Sequence, residues 1–286
     1  MSKGITVPYK TMLAHIPNVS HAHRLLDAVL PLARQFESHL IGLHVLPRLP
    51  VLNSIAGTQI PQEIVVQQRE RLGDEAKQIE QQFYERCEKA GVKAEWRCSQ
   101  LERGEVASEV VGQSLGADLV VVAQAQEDEF GFSDDLPARV AIDAGRPTLV
   151  IPYAGEFNTI GQRVIVAWNA SREAARATHY AIPLMQAAQS VRVLAVDPDC
   201  REGYDSIALG DEMALCLSRH DIKSEATVDR RGGGSVGDEL LNRAADEGCD
   251  LLVMGCYGHS PLRETLFGGV TRNLLAQMTV PVLMAH

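Results

Sequence analysis

An internal repeat constrains this chain more than any other feature. One fold copied twice fixes the architecture and the place where the copies join. The short apolar run Lys10-Thr11-Met12-Leu13-Ala14-His15 has a counterpart in Arg163-Val164-Ile165-Val166-Ala167-Trp168. Each is followed by a small polar turn and then a helical pattern that reaches a proline, Val29-Leu30-Pro31-Leu32 and Ala181-Ile182-Pro183-Leu184. Next come Leu40-Ile41-Gly42-Leu43-His44-Val45 and Val191-Arg192-Val193-Leu194-Ala195-Val196. Later landmarks are Gly116-Ala117-Asp118-Leu119-Val120-Val121-Val122 and Gly248-Cys249-Asp250-Leu251-Leu252-Val253-Met254. Both halves close on a proline and an apolar run, Pro147-Thr148-Leu149-Val150-Ile151 and Pro281-Val282-Leu283-Met284.

Most of the strand-like runs are Val, Ile and Leu without polar alternation, the pattern of strands covered on both faces of a parallel sheet. Helical patterns alternate with them at residues 23–38, 64–90, 106–115, 172–188, 210–220, 236–247 and 270–278. Alternating β and α with right-handed crossovers predicts a doubly wound α/β fold. With 286 residues, the chain has the length of about two domains. The prediction is therefore α/β, two tandem doubly wound five-stranded parallel-sheet domains, Rossmann-like. The boundaries fall at 1–154 and 155–286, and the short linker at 153–161 should keep the halves packed. The first half carries extra material, a Pro-rich stretch at 47–61 and a long polar helix to residue 90, read as a surface loop and an amphipathic helix or as a lid or partner surface.

Charge narrows the function classes. The net charge is −10; residues before 155 carry 15 basic and 20 acidic side chains and the rest 12 and 17, so each half is −5. Two equally acidic halves argue against a polyanionic partner, either nucleic acid or an anionic membrane. No apolar run reaches the roughly 18 residues needed to span a bilayer. The first ten residues carry no secretory signal, so the expected location is cytoplasmic. No two of the six cysteines stand as C-x-x-C, and no Cys/His cluster has zinc-finger spacing, which points to reduced thiols.

The sharpest chemical signal lies near the C-terminus. Gly255 ends a buried strand, Gly258 follows, and Gly268-Gly269 precede a helical segment beginning at Val270. In an open parallel sheet, ligands bind outside the carboxyl ends of strands at a topological switch point. Glycines there let backbone N–H groups approach a ligand, and a helix N-terminus adds a partial positive charge suited to phosphate. The spacing Gly-x2-Gly-x9-Gly is neither the Walker loop nor the dinucleotide fingerprint. It leaves open a phosphate cradle and a set of tight turns.

With these residues the sequence resembles the universal stress protein family in its tandem two-domain form, over essentially the whole chain. The likeness is strongest in Val164–Arg176 and in Gly255-x2-Gly258-x9-Gly268 followed by Val270-Thr271, which looks like the family's ATP-binding motif. The resemblance implies an adenine nucleotide hydrolase-like fold packed as a pseudo-dimer, with the final strands, 148–151 and 280–284, paired across the halves. It implies ATP, with Mg2+, as ligand in the second half, held by Ala167, Asn169, Val196, Met254, Gly255, Gly258, Gly268, Gly269 and Val270. It implies a stress-response binding module with a protein partner and association of two chains, without nucleic acid or membrane. Two positions depart from the pattern. Gly269 stands where ATP-binding members carry Ser or Thr, and Asn169 stands where an Asp commonly contacts the nucleotide.

In the first half, Ala123 aligns with Gly255, Gln126 with Gly258, and Asp134-Asp135 with Gly268-Gly269, with Glu127-Asp128-Glu129 between. Carboxylates repel phosphate and supply no donors, so nucleotide is expected in the second half alone. No residue reads as a general base or nucleophile, and at most weak ATP hydrolysis is expected. A nucleotide-independent interaction scaffold stays open, as does an ATP-dependent enzyme, although neither half carries S-G-G-x-D-S after its first strand. The pair His21 and His23 diverges at a helix start and completes no metal site.

Overall fold

The computed structural model describes residues 9–48, 62–101, 103–125, 135–197, 206–256 and 269–286. Among the described residues, five strands and four helices make up the first half. They run β1 (Thr11–His15), α1 (Val19–Gln35), β2 (His39–Leu46), α2 (Gln62–Ala90), β3 (Lys93–Gln100), α3 (Val106–Ser114), β4 (Leu119–Ala123), α4 (Leu136–Asp143) and β5 (Thr148–Ile151). The second half repeats the order as β6 (Arg163–Ala167), α5 (Arg172–Met185), β7 (Ser190–Val196), α6 (Ser206–Ser218), β8 (Ser224–Asp229), α7 (Val236–Asp246), β9 (Leu251–Gly255), α8 (Gly269–Gln277) and β10 (Val282–Ala285).

All ten strands lie in one sheet, ordered β3-β2-β1-β4-β5-β10-β9-β6-β7-β8. The second half is thus the first turned about the β5/β10 seam. Within each half every pairing is parallel; the seam is antiparallel, with Val282 opposite Val150 and Met284 opposite Thr148. The expected pairing of the last strands is therefore observed, and it merges two five-stranded sheets into one.

One buried cluster packs α1, α2, α5 and α6 on one face, and the other packs α3, α4, α7 and α8 on the opposite face. Central strands are buried along their length, Leu119 through Ala123 and Leu251 through Met254. This is why they read as continuous apolar runs. The edge strands β3 and β8 alternate exposed and half-buried positions instead. α1 begins when Asn18 accepts a hydrogen bond from His21 N at 2.9 Å. α5 begins when Ser171 accepts one from Ala174 N at 3.1 Å. These are the N-caps that satisfy otherwise orphaned donors. Both helices tolerate an internal proline, Pro31 and Pro183, because burial outweighs the lost backbone hydrogen bond.

Candidate functional site

The central strands of the second half are β9 and β6, with chain connections leaving in opposite directions. This is the topological switch point where α/β sheets bind ligands. Ala167, at the end of β6, pairs with Met254 of β9. Val196 closes β7. Ala167, Val196 and Met254 share the face covered by α7 and α8, so three of the residues predicted from sequence converge there. Ala167 and Val196 are half-buried, and Met254 is buried.

Gly255 has a reason the sequence did not display. A Cβ built on it would stand 2.4 Å from Ala174 N and 2.5 Å from the Glu173 carbonyl carbon. The glycine lets the N-terminus of α5 press against the end of β9, a close approach that any side chain would prevent. Asn169 is exposed, and its Oδ1 accepts from Ser171 N at 3.2 Å. The next residue, Ala170, has φ +54°, in the left-handed region that non-glycine residues seldom enter. α8 runs back toward the start of β10, so its first residues, Gly269 and Val270, lie at the same sheet edge and are exposed. Asn273 ties α8 to α7, donating to Ser235 Oγ at 2.9 Å and Asp238 Oδ1 at 3.1 Å. Gly258 and Gly268 lie outside the described residues, as do residues 49–61, 126–134, His259 and Arg263.

Sequence reasoning missed several charged groups around this edge. Glu173 is 3% exposed and ion-paired with Arg172. Burial works against its charge, but the hydrogen bond from Arg172 overcomes this and holds the carboxyl below its usual range. Its place, two residues beyond the Ser171 cap, was the available signal. Asp197, just past β7, has φ +43° and receives Arg231 through both the backbone N–H and the guanidinium. That hydrogen bonding holds the Asp197 carboxyl below the ordinary range. Cys256 is buried, and burial pushes its thiol up to about 12, which leaves it an unreactive thiol at neutral pH. His286 Nδ1 lies 2.9 Å from the Cys256 carbonyl oxygen.

The corresponding edge of the first half is built differently. Strand register matches His15 with Ala167, Val45 with Val196, and Val122 with Met254. His15 is 1% exposed and shares a sheet face with Leu13 by strand alternation. His44 Nδ1 lies 2.8 Å from Ile16 O, and its ring stacks on Trp96. His21 is buried while His23 is exposed and pairs with Asp27. The two histidines diverge as expected, and among the described residues no cluster of His, Cys, Asp or Glu could hold a metal. Two open grooves lie elsewhere. One of about 600 Å3 runs between α1 and the end of α2, and one of about 360 Å3 runs across the starts of β6, β7 and β8.

Residues 161–286 match the model of the universal stress protein family. A stretch of 47 residues, 16% of this chain, is 40% identical to a universal stress protein of Methanocaldococcus jannaschii and spans 29% of that protein's length. A solved universal stress protein from Archaeoglobus fulgidus is 17% identical, with a TM-score of 0.73 covering 96% of this chain and 95% of that one. A functionally unknown protein from Pseudomonas aeruginosa is 14% identical, with a TM-score of 0.54 covering 97% and 92%. These two solved structures share the fold of the whole chain. Among the described residues no helix is long and apolar enough to cross a membrane.

Proposed function

Since residues 161–286 belong to the universal stress protein family and the whole chain has the fold of a universal stress protein, we propose that it is a cytoplasmic stress-response module that binds ATP or a related adenine nucleotide. The two halves act as domains, 1–154 and 155–286, and nucleotide enters the second alone. Adenosine lies along Ala167, Val196 and Met254, with Asn169 at the ribose. Gly255, Gly258, Gly268, Gly269 and Val270 present backbone N–H groups to the phosphates, where the start of α8 adds its partial charge. Mg2+ arrives with the phosphates rather than at a protein site of its own. The role is binding and regulation, with a protein partner and a second copy reading the bound state.

The observation that carries this reading is the contrast at one register position. The second half places only the methyl group of Ala167 at its switch point, while the first half fills the same position with the buried His15 imidazole. The test is to purify the protein without added nucleotide, denature it and assay released ATP and ADP, then titrate ATP calorimetrically into wild type and Gly258→Asp. Binding by wild type that the variant loses is the expected result. No released nucleotide and no titration signal would sink the reading; equal binding by the variant would show the site to be misplaced.

Two observations favour a second reading, a scaffold that works without nucleotide. The Asn169 side-chain Oδ1 already accepts from Ser171 N–H, and Gly255 is required by the approach of α5 whether or not a ligand binds.

A further inference from the structure

We infer that Gln124, a residue of the first half, is a positioning residue for the nucleotide site of the second half, because it holds the last turn of α8. The inference rests on the nucleotide reading above and adds a reason for the two halves to share one chain.

Gln124 follows β4 and is 1% exposed. Its Nε2 donates to Leu275 O at 2.8 Å and to Ala276 O at 3.2 Å, and its Oε1 accepts from Tyr153 N at 3.0 Å. Its backbone N donates to Ile151 O at 2.7 Å. Both ends of the buried carboxamide are therefore used, as a buried amide requires. The two carbonyls belong to the last turn of α8, where a helix leaves its final carbonyls without intrahelical donors and carries a partial negative charge. A side chain from one half thus caps a helix of the other.

That helix is the one whose first residues, Gly269 and Val270, stand at the candidate phosphate edge. Nine residues make a rigid rod of about 13 Å, so a tilt at its last turn moves its first. Asn273 fastens the middle of α8 to the Ser235 cap of α7, and Thr271 and Leu274 are buried beneath it. Gln124 adds the anchor that only the first half supplies. In the second half the matching position is Cys256, by the shared register of β4 with β5 and β9 with β10. A thiol has neither the reach nor the paired donors of a carboxamide. The seam is symmetric in its strands and one-directional in this clamp.

The experiment compares wild type, Gln124→Met and Gln124→Glu by ATP calorimetry and by hydrogen exchange of α8 amides without ligand. Gln124→Met removes the donors to α8 and the acceptor for Tyr153 N together, whereas Gln124→Glu keeps the acceptor and, protonated by burial against two carbonyls, has one donor at most left for α8. Both variants should weaken ATP binding about five- to tenfold and speed exchange in α8 by a similar factor, the scale set by one lost hydrogen bond to a neutral group. Ile79→Val, buried under α2 far from the seam, should leave ATP affinity unchanged. ATP affinity equal to wild type in Gln124→Met overturns the inference, as does faster exchange spread over the first half with α8 unaffected. If wild type binds no ATP, the nucleotide reading falls first and the inference falls with it; if wild type binds and the variants match it, the inference alone falls.

Discussion

At the carboxyl edge of the sheet, the first half presents His15, His44 and His21 where the second presents Ala167, Ala195 and Ala174. The first two pairs are set by strand register and the third by matching helix caps. Beside them, Ala123 and Gln124 of the first half stand at the positions that Gly255 and Cys256 hold in the second. The backbone plan is the same and the side chains divide the labour. Imidazoles and a carboxamide fill one edge, whereas methyl groups and a bare glycine occupy the matching positions of the other. A repeat can therefore preserve a core exactly where packing demands it while its ligand edge diverges, because strand interiors are covered on both faces and strand ends are not.

The largest effect that could break this comparison is at the glycine. Gly255→Ala forces a methyl group onto the backbone of Glu173 and Ala174, and should cost about 3 kcal/mol, the upper range for an overpacked core. The reciprocal Ala123→Gly should cost about 1 kcal/mol, the usual loss for glycine in a strand. Urea unfolding of both variants checks this, and equal costs would mean that the two strand ends are packed alike.

Acid should next separate the halves. Burial, reinforced by His44 and His21, lowers the His15 pKa to about 3, and burial also lowers His44 against the opposing pull of the Ile16 carbonyl and Glu75. A histidine depressed in the folded state stays neutral there, while the unfolded chain takes up protons below about 6.5. Its contribution is thus fully present above pH 6.5 and is lost as pH falls toward 3. From His15 alone, about 2 kcal/mol should be gone at pH 5. The alanines of the second half contribute nothing of the kind. Hydrogen exchange at pH 7 and pH 5 should show the weakening around β1, β2 and α1; weakening centred on β6, β7 and α5 would contradict the assignment.

The architecture was legible because buried parallel strands are written as uninterrupted apolar runs, twice, in one order. The closing strands at the seam were legible for the same reason, since Thr148–Ile151 and Val282–Ala285 are fully buried. Helix ends were less so. α1 starts at Val19, four residues ahead of the sequence estimate, because the Asn18 cap and not the hydrophobic period sets its beginning. α4 escaped notice because its eight residues are too few for a clear helical period. The edge strands β3 and β8 are half solvated and carry no such run. At the site, small residues and glycines were visible as a motif, but not the reason for Gly255, which depends on how closely α5 approaches. Nor could Gln124 be found from one half alone: its partners, Leu275 and Ala276, lie across the seam.

The central claim, one nucleotide site in the second half and none in the first, is tested most directly by calorimetric titration of ATP into wild type and Ala167→His. The substitution copies the first half's own imidazole into the matching position of the second. Wild type should bind one ATP per chain, and the variant should stay folded while its affinity falls at least about tenfold, or 1.4 kcal/mol. Two ATP per chain in wild type, or unchanged affinity with His at position 167, would contradict the account.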